Sequence, residues 1–421
     1  MHNNLKSIIH VLCSGTALGI AESATAALVE DSKASLDMRN FYMNRDFRQS
    51  GAVQNKAEEW AQGFILRFES GYTEGPLGMG VDAIGQLGIK LDSSPDRTGT
   101  GLLKSGSEAS ANAKDEYSES GLTAKLRASK STIKIGTLQP VLPPLMRNDG
   151  RLLPQTFRGT WVNSNEIDSL SLDLGRIDRV NQRNSSNNEA LTVFNGGMRN
   201  IVLSNAKKSS EFLFGGGRYQ WNSALATSYY YGGLDSIYKQ HLVNMVYQFP
   251  LGKGQSLKSD LRLAHSSDDG GSNVDNDAVG ALFTYKLGSH NVSAGYQHLS
   301  GNTGFASVNG ADNVLINLVQ INDFGNENEH SWQIRYDYDF SALGVPGLNL
   351  MTRYLSGDNV DRGPGLSEGR TWERNTDLSY VIQSGPLKDF GFKFRNASTR
   401  SNFLNDIDES RLILTYSLAL W

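Results

Sequence analysis

"KLRASKSTIKIG", Lys125 to Gly136, packs four cations into one short stretch, with apolar or small residues between most of them and nothing acidic among them. The whole chain carries a formal net charge of −4, so the basic row is a local feature. Read from Ser120 as "SGLTAKLRAS", the stretch alternates. Leu122, Ala124, Leu126 and Ala128 form one face, and Thr123, Lys125, Arg127 and Ser129 form the other. After Ser129 the parity slips by one residue, so Lys130, Thr132 and Lys134 continue opposite Ser131, Ile133 and Ile135. Either a bulge or a hairpin at 129–131 accounts for the slip.

The same period of two runs from near residue 35 to the end. In "EEWAQGFILRFESGY", Trp60, Phe64, Leu66 and Phe68 oppose Glu59, Arg67 and Glu69. In "HSWQIRYDYDF", Trp332, Ile334, Tyr336, Tyr338 and Phe340 oppose Gln333, Arg335, Asp337 and Asp339. In "RLILTYSLALW", Leu412, Leu414, Tyr416, Leu418 and Leu420 oppose Arg411, Thr415 and Ser417. Helical spacing is nowhere convincing. A chain of 421 residues is long enough for two or three ordinary domains or for one large β-barrel. The negative mean hydropathy argues only against a helical membrane protein, because a transmembrane barrel alternates lipid-facing and water-facing residues.

The connections alternate as well. Short Gly- and Pro-containing turns lie at Thr73 to Gly78, Lys286 to His290, Leu343 to Gly347 and Ser384 to Asp389. Between them stand long polar stretches at Asp92 to Glu119, Ser266 to Asn276, Ser300 to Glu329, Ser356 to Gly369 and Thr399 to Asp408. One short-turn end and one long-loop end is the pattern of outer-membrane barrels. The expectation is therefore an all-β chain forming a single transmembrane antiparallel β-barrel. About 17 to 19 strands can be read, and the even-number rule selects 18. A secreted β-sandwich or solenoid is the alternative. It leaves unexplained why the last alternating strand runs out to the terminal aromatic Trp421.

The first residues read as an export signal, with "MHNNLK", a short apolar run and Ala24-Thr-Ala26 ahead of a cleavage point. This divides the chain into a leader at 1–26 and a barrel at 27–421. Cys13 falls in the leader, behind a poor lipobox, so the mature chain has no cysteine.

Energy decides where the cations point. Facing lipid, each would cost about 2–4 kcal/mol near the midplane, and four on the order of 10 kcal/mol. That rivals the stability of a whole domain. Lys125, Arg127, Lys130 and Lys134 are therefore expected to face a water-filled lumen. Parity recruits Arg39, Arg45, Arg67, Lys393, Arg395 and Arg411 to the same side. If the last strand pairs with the first, these six lie on adjacent strands as one basic wall. Ordinary lumen charges balanced by nearby carboxylates are the plainer reading.

After the basic row comes "TLQPVLPPLMRNDGRLLPQTFRGTW", Thr137 to Trp161, which holds four of the ten prolines and lacks alternation. It is too apolar for a solvated loop, so it is expected to bury itself in the lumen and narrow the pore. Arg147, Arg151 and Arg158 travel with it, beside Asp149. An inert plug is the alternative. With "RNFYMNRDFR" and "HSWQIRYDYDF…LGVPGLNL", this segment resembles the OprD family of outer-membrane carboxylate channels of Pseudomonas-type bacteria, most specifically in "NDGRLLPQTF". The resemblance covers about Glu30 to Trp421. It implies an 18-stranded barrel whose third and seventh long loops fold inward as an eyelet, with a ladder of arginines and lysines guiding carboxylates. "DSKASLDMRNFYMNRDFR" is similar to the branch that transports cyclic and aromatic carboxylates.

The expected partners are small carboxylates, outer-membrane lipid and lipopolysaccharide, and the barrel-assembly machinery, with the chain a monomer or weak trimer. A general or amino-acid or peptide pore is the nearest rival. An outer-membrane hydrolase is remote, because no G-x-S-x-G elbow occurs. No cofactor or metal is expected, since the mature chain lacks cysteine and its histidines have no ligand spacing. Nucleic acid is disfavoured by the net charge and the export signal.

Overall fold

In the computed structural model, residues 28–49, 51–105, 112–204 and 208–421 are described. The leader, its cleavage point and Cys13 lie outside them. Eighteen strands close into one antiparallel barrel. The first six are β1 Lys33–Phe47, β2 Lys56–Glu69, β3 Leu77–Asp92, β4 Glu116–Ala128, β5 Ser131–Leu138 and β6 Thr156–Ser164. Next come β7 Leu170–Asn181, β8 Phe212–Gln220, β9 Leu225–Leu234, β10 Tyr238–Gly252, β11 Gln255–Asp268 and β12 Asp275–Leu287. The last are β13 His290–Gly301, β14 His330–Asp339, β15 Leu348–Val360, β16 Gly369–Val381, β17 Gly391–Ser401 and β18 Ile407–Ala419. β18 returns to β1 in register, from Ser35 opposite Ala419 to Phe47 opposite Ile407. Closure leaves no edge strand whose unpaired amides would face hydrocarbon.

The period of two sets the two faces. Leu122, Ile135, Leu174, Leu263 and Ile334 stand exposed on the outer wall, while Thr123, Lys125, Gln333 and Arg411 are buried inside. Aromatic residues band the outer wall at both ends, with Trp332, Tyr354 and Trp372 packed together toward the loops. Tyr247 with Phe249 and Tyr338 with Phe340 band it toward the turns. Trp421 sits at the seam, its indole N–H donating to Ser32 Oγ at 2.9 Å and its ring 6.3 Å from Phe68.

The slip after Ser129 is a hairpin. β4 ends at Ala128, β5 begins at Ser131, and Ser129 takes a left-handed φ of 51° in the two-residue turn. The opening row therefore lies on two strands, with Lys125 directly opposite Lys134. Three of the long stretches turn out shorter than expected, at 269–274, 361–368 and 402–406, because the strands run further toward the loop end.

Three long connections at that end fill the lumen: L3 (139–155), L4 (182–211) and L7 (302–329). Their apolar residues join the inner wall in one core. Leu142 and Leu145 of L3, Leu191 and Val193 of L4, and Phe305 and Leu315 of L7 pack with Phe157, Phe212, Tyr230 and Leu299 of the strands. The far end of L3 lies on the opposite wall, where Leu152 and Leu153 meet Phe41, Met43, Ala61 and Ile65. A side chain at Gly63 would approach Leu152 to 3.1 Å, so the approach of loop to wall depends on that glycine.

Candidate functional site

L3, L4 and L7 converge over the inner wall of β16–β18 and leave a cavity of about 460 Å³, the size of a small-molecule site. Its charged lining is Arg151, Arg183, Arg199, Arg395 and Arg411 against Asp312, Asp323 and Glu329. Three of these arginines are neutralised. Arg199 pairs with Asp323, and Arg395 with Asp377 at 2.9 Å. Arg411 pairs with Glu409 at 2.6 Å.

Arg151 and Arg183 differ. Among the described residues neither has a carboxylate within ion-pair distance. Arg151 donates through Nε to the Thr100 carbonyl at 3.1 Å and through Nη1 to its neighbour Gly150 at 3.0 Å. Arg183 donates to Asn148 Oδ1 at 2.6 Å. Burial, and after it the nearby Arg411 and Arg183 cations, pushes the Arg151 guanidinium well down from its ordinary value. Burial likewise lowers Arg183, with Asp312 opposing. Two buried cations in mutual repulsion are a site where an anion lowers the energy.

Two buried carboxylates shape the opening. Glu409, with no exposed surface, takes both Nε and Nη2 of Arg45 at 2.9 and 2.6 Å. It also accepts Gln320 Nε2 at 3.0 Å, while Arg411 Nη2 donates to the Gln320 carbonyl at 3.0 Å. Glu373, equally buried, accepts the backbone N–H groups of Ile321 and Asn322 at 3.1 and 2.9 Å. The tip of L7 is thus pinned to β16 and β18 by hydrogen bonds to charge, which are stronger than neutral ones.

The six-cation wall exists on β17, β18, β1 and β2, with Arg395 directly opposite Arg411. It is balanced, however. Lys393 and Arg395 share Asp377, Arg45 and Arg411 share Glu409, Arg67 pairs with Asp37, and Arg39 with Asp149. Asp149 holds Arg39 at 2.9 Å, and Asp323 is occupied by Arg199 and Asn313.

The opening row is not free of acid either. Asp82 of β3 lies 2.6 Å from Lys125 and 3.8 Å from Lys134. Arg127 stacks on the Tyr72 ring at 4.3 Å. Two expected residues leave the pathway. Lys130 occupies the β4–β5 turn, its exposed ammonium 3.3 Å from Asp168, because the parity slip is a reversal rather than a bulge. Arg158 lies on the outer face with Asp178 at 2.8 Å, since Phe157 and Trp161 take the inner positions. Arg147 lines a different cavity below L3, beside Arg67 and Lys134.

Sequence reading missed Arg183, Arg199, Asp312, Glu373 and Glu409. L4 carried the same signal that marked L3. Its "NEALTVFNGG" is too apolar for a solvated loop, and Arg183 and Arg199 flank it.

Comparison with known proteins places this geometry. The family described as outer membrane porin, OprD family, matches residues 26–420. The porin-like protein GalP of Pseudomonas putida is 38% identical over 406 residues, covering 95% of each chain. The crystal structure of Pseudomonas aeruginosa OpdQ superposes with a TM-score of 0.87 at 57% identity, covering 94% of this chain and 100% of that one. That of Pseudomonas aeruginosa OpdK with vanillate does so at 0.85 and 39%, with the same coverage.

Proposed function

The chain belongs to the OprD family of outer-membrane porins, and from that premise we propose that it is a substrate-specific channel for small carboxylates, aromatic or cyclic monocarboxylates foremost. The observation that carries this reading is the pair Arg151 and Arg183, two buried guanidiniums lining the cavity between L3, L4 and L7 without carboxylate partners among the described residues.

Arginine meets a carboxylate with two parallel hydrogen bonds, so these groups recognise the anion by shape as well as by charge. The balanced wall of Arg45, Arg395 and Arg411 contributes differently. Each guanidinium already has an acidic partner, so an anion displaces a contact rather than filling a vacancy and is held weakly enough to leave. Phe194, Leu318, Ile321 and Phe324 stand among the polar residues that line the same cavity, which gives a ring following its carboxylate some apolar surface to rest on. OpdK, a relative, has been crystallised with vanillate, an aromatic carboxylate. The field of the unbalanced cations draws anions into the low-dielectric tube.

Benzoate and the similarly sized neutral benzyl alcohol, compared in a liposome swelling assay, test the reading. Arg151→Ala is expected to lower benzoate flux about tenfold, the worth of one charged hydrogen-bonding partner, while benzyl alcohol entry stays equal or rises. Unchanged benzoate flux refutes it. A large single-channel conductance with a reversal potential near zero favours a general pore instead.

A further inference from the structure

L3 turns one face to the eyelet and the other to a second cavity, of about 380 Å³, between the eyelet and the short-turn end. Arg151 lines the first and Arg147 the second. The second is walled by β2, β3, β5 and the start of L3, with Arg67, Lys134, Arg147, Gln139 and the carboxylates of Glu69 and Asp82 on its surface. An adjoining hollow toward the turns adds Lys125 and Arg127, together with one further charge of each sign, Lys33 and Asp31.

The charge is lopsided. Arg67, Lys125, Arg127, Lys134 and Arg147 face Asp37, Asp82 and Glu69, an excess of two cations. Asp82 is committed to Lys125 at 2.6 Å, which leaves Lys134 a long 3.8 Å contact. Arg147 reaches only the Gln139 carbonyl, at 3.3 Å, and has no carboxylate within ion-pair distance among the described residues. Buried polar atoms here also lack hydrogen bonds: Asp82 Oδ1, which has its ion pair with Lys125 alone, and two donors. Arg67 Nη1 donates to Gln139 Oε1 at 2.8 Å, which turns the amide so that Gln139 Nε2 has no acceptor. Arg147 Nε has none either. Buried donors left without partners are costly, and they cluster where an acceptor is to be supplied from outside.

We propose that this cavity is a second carboxylate-binding subsite, on the exit side of L3, in which Arg147, Lys134 and the Gln139 amide receive the anion after it leaves Arg151. The assignment rests on the carboxylate-channel reading and extends it from one selective constriction to two sites in series, with L3 as the partition between them. It also gives the basic row its part: Lys125 occupies Asp82 and so keeps Lys134 available.

The test is benzoate block of single-channel current in planar bilayers, titrated separately from the loop side and the turn side. Two variants are compared with the unmodified protein: the double variant Lys134→Gln, Arg147→Gln, and the near-isosteric Gln139→Glu. Gln139→Glu retains an oxygen for Arg67 but replaces the amide donor with a carboxylate, so it keeps the test valid if the double variant folds poorly. Each is expected to raise the half-blocking concentration from the turn side about tenfold and to change the loop-side value by about twofold or less. An equal shift from both sides, or none from the turn side, overturns the subsite while leaving the eyelet reading intact. Absence of benzoate block from either side in the unmodified protein overturns the carboxylate reading and the subsite with it.

Discussion

The part of the lumen walled by β6–β13 is packed like the interior of a soluble protein, while the wall of β16–β18 is studded with buried charges. In the first, Phe157, Phe212, Phe214, Tyr230 and Leu242 project inward and meet the apolar residues of L3, L4 and L7. In the second, Glu373, Asp377, Glu409 and Arg411 are each less than a tenth exposed, and each bonds to a neighbour of complementary character. The loops are held in two ways accordingly: by area on one side and by a few strong hydrogen bonds on the other. Apolar burial is non-directional and fixes where a loop rests. Hydrogen bonds to charge are directional and fix which atoms of the loop tip face the passage. The cavity between the loops lies against the charged wall, where Thr371, Arg395 and Arg411 line it.

Three experiments break or sharpen this contrast. The largest effect is expected from Glu409→Ala, which strands Arg45 and Arg411 in a buried site. Breaking a buried pair costs about 3–5 kcal/mol, so the temperature at which the folded barrel loses its compact gel mobility should fall markedly. Unaltered heat resistance would mean that the charged wall is solvated rather than buried. Next is Leu315→Ala in L7, expected to cost about 2–5 kcal/mol of packing. This loss should be local, loosening L7 and raising single-channel conductance while the eighteen strands keep their circular dichroism. If the strands melt along with the loop, the packed part is part of the barrel's own stability.

The smallest effect concerns pH. Burial raises Asp312 of L7 to about 6, with Arg183 opposing and Asp149 assisting. Glu329 is raised to about 7, again chiefly by burial. Both are carboxyls with folded pKa values above the unfolded ones. They are protonated at low pH in either state, and the stability tied to them is lost as pH rises through about 6 and 7. For conduction, lowering the pH from 7.5 to 5 removes negative charge from the eyelet. The chloride-to-potassium permeability ratio should therefore rise, by roughly twofold to fivefold. Asp312→Asn should remove part of that rise. A ratio that falls with acid would contradict the assignment.

Much of the barrel was legible in order along the chain. Trp332-Gln-Ile-Arg335 states its two faces locally, since adjacent residues in a strand point opposite ways whatever lies around them. The inward turn of L3 was legible from its prolines and leucines, because an apolar loop has to find cover. The roles of Lys130 and Arg158 were not. A parity slip looks the same for a bulge and for a reversal, and Arg158 stands just where the non-alternating loop passes into the strand, so its face follows only from Phe157 and Trp161 packing inward. Glu373 and Glu409 read as ordinary polar positions, and nothing local distinguishes a lumen acid that faces water from one that caps a loop.

By itself, then, the amino-acid sequence determined the alternation, the closed sheet it requires in a membrane, the family, and which face of a regular strand its cations share. The tertiary structure alone decided which of those cations remain unneutralised. Arg45 and Glu409 are 364 residues apart, and Arg39 and Asp149 are 110 apart. Closure of the barrel and inward folding of the loops bring these pairs together. Charge balance is a property of distance in space, and only the fold sets which distant acids come within reach of each cation.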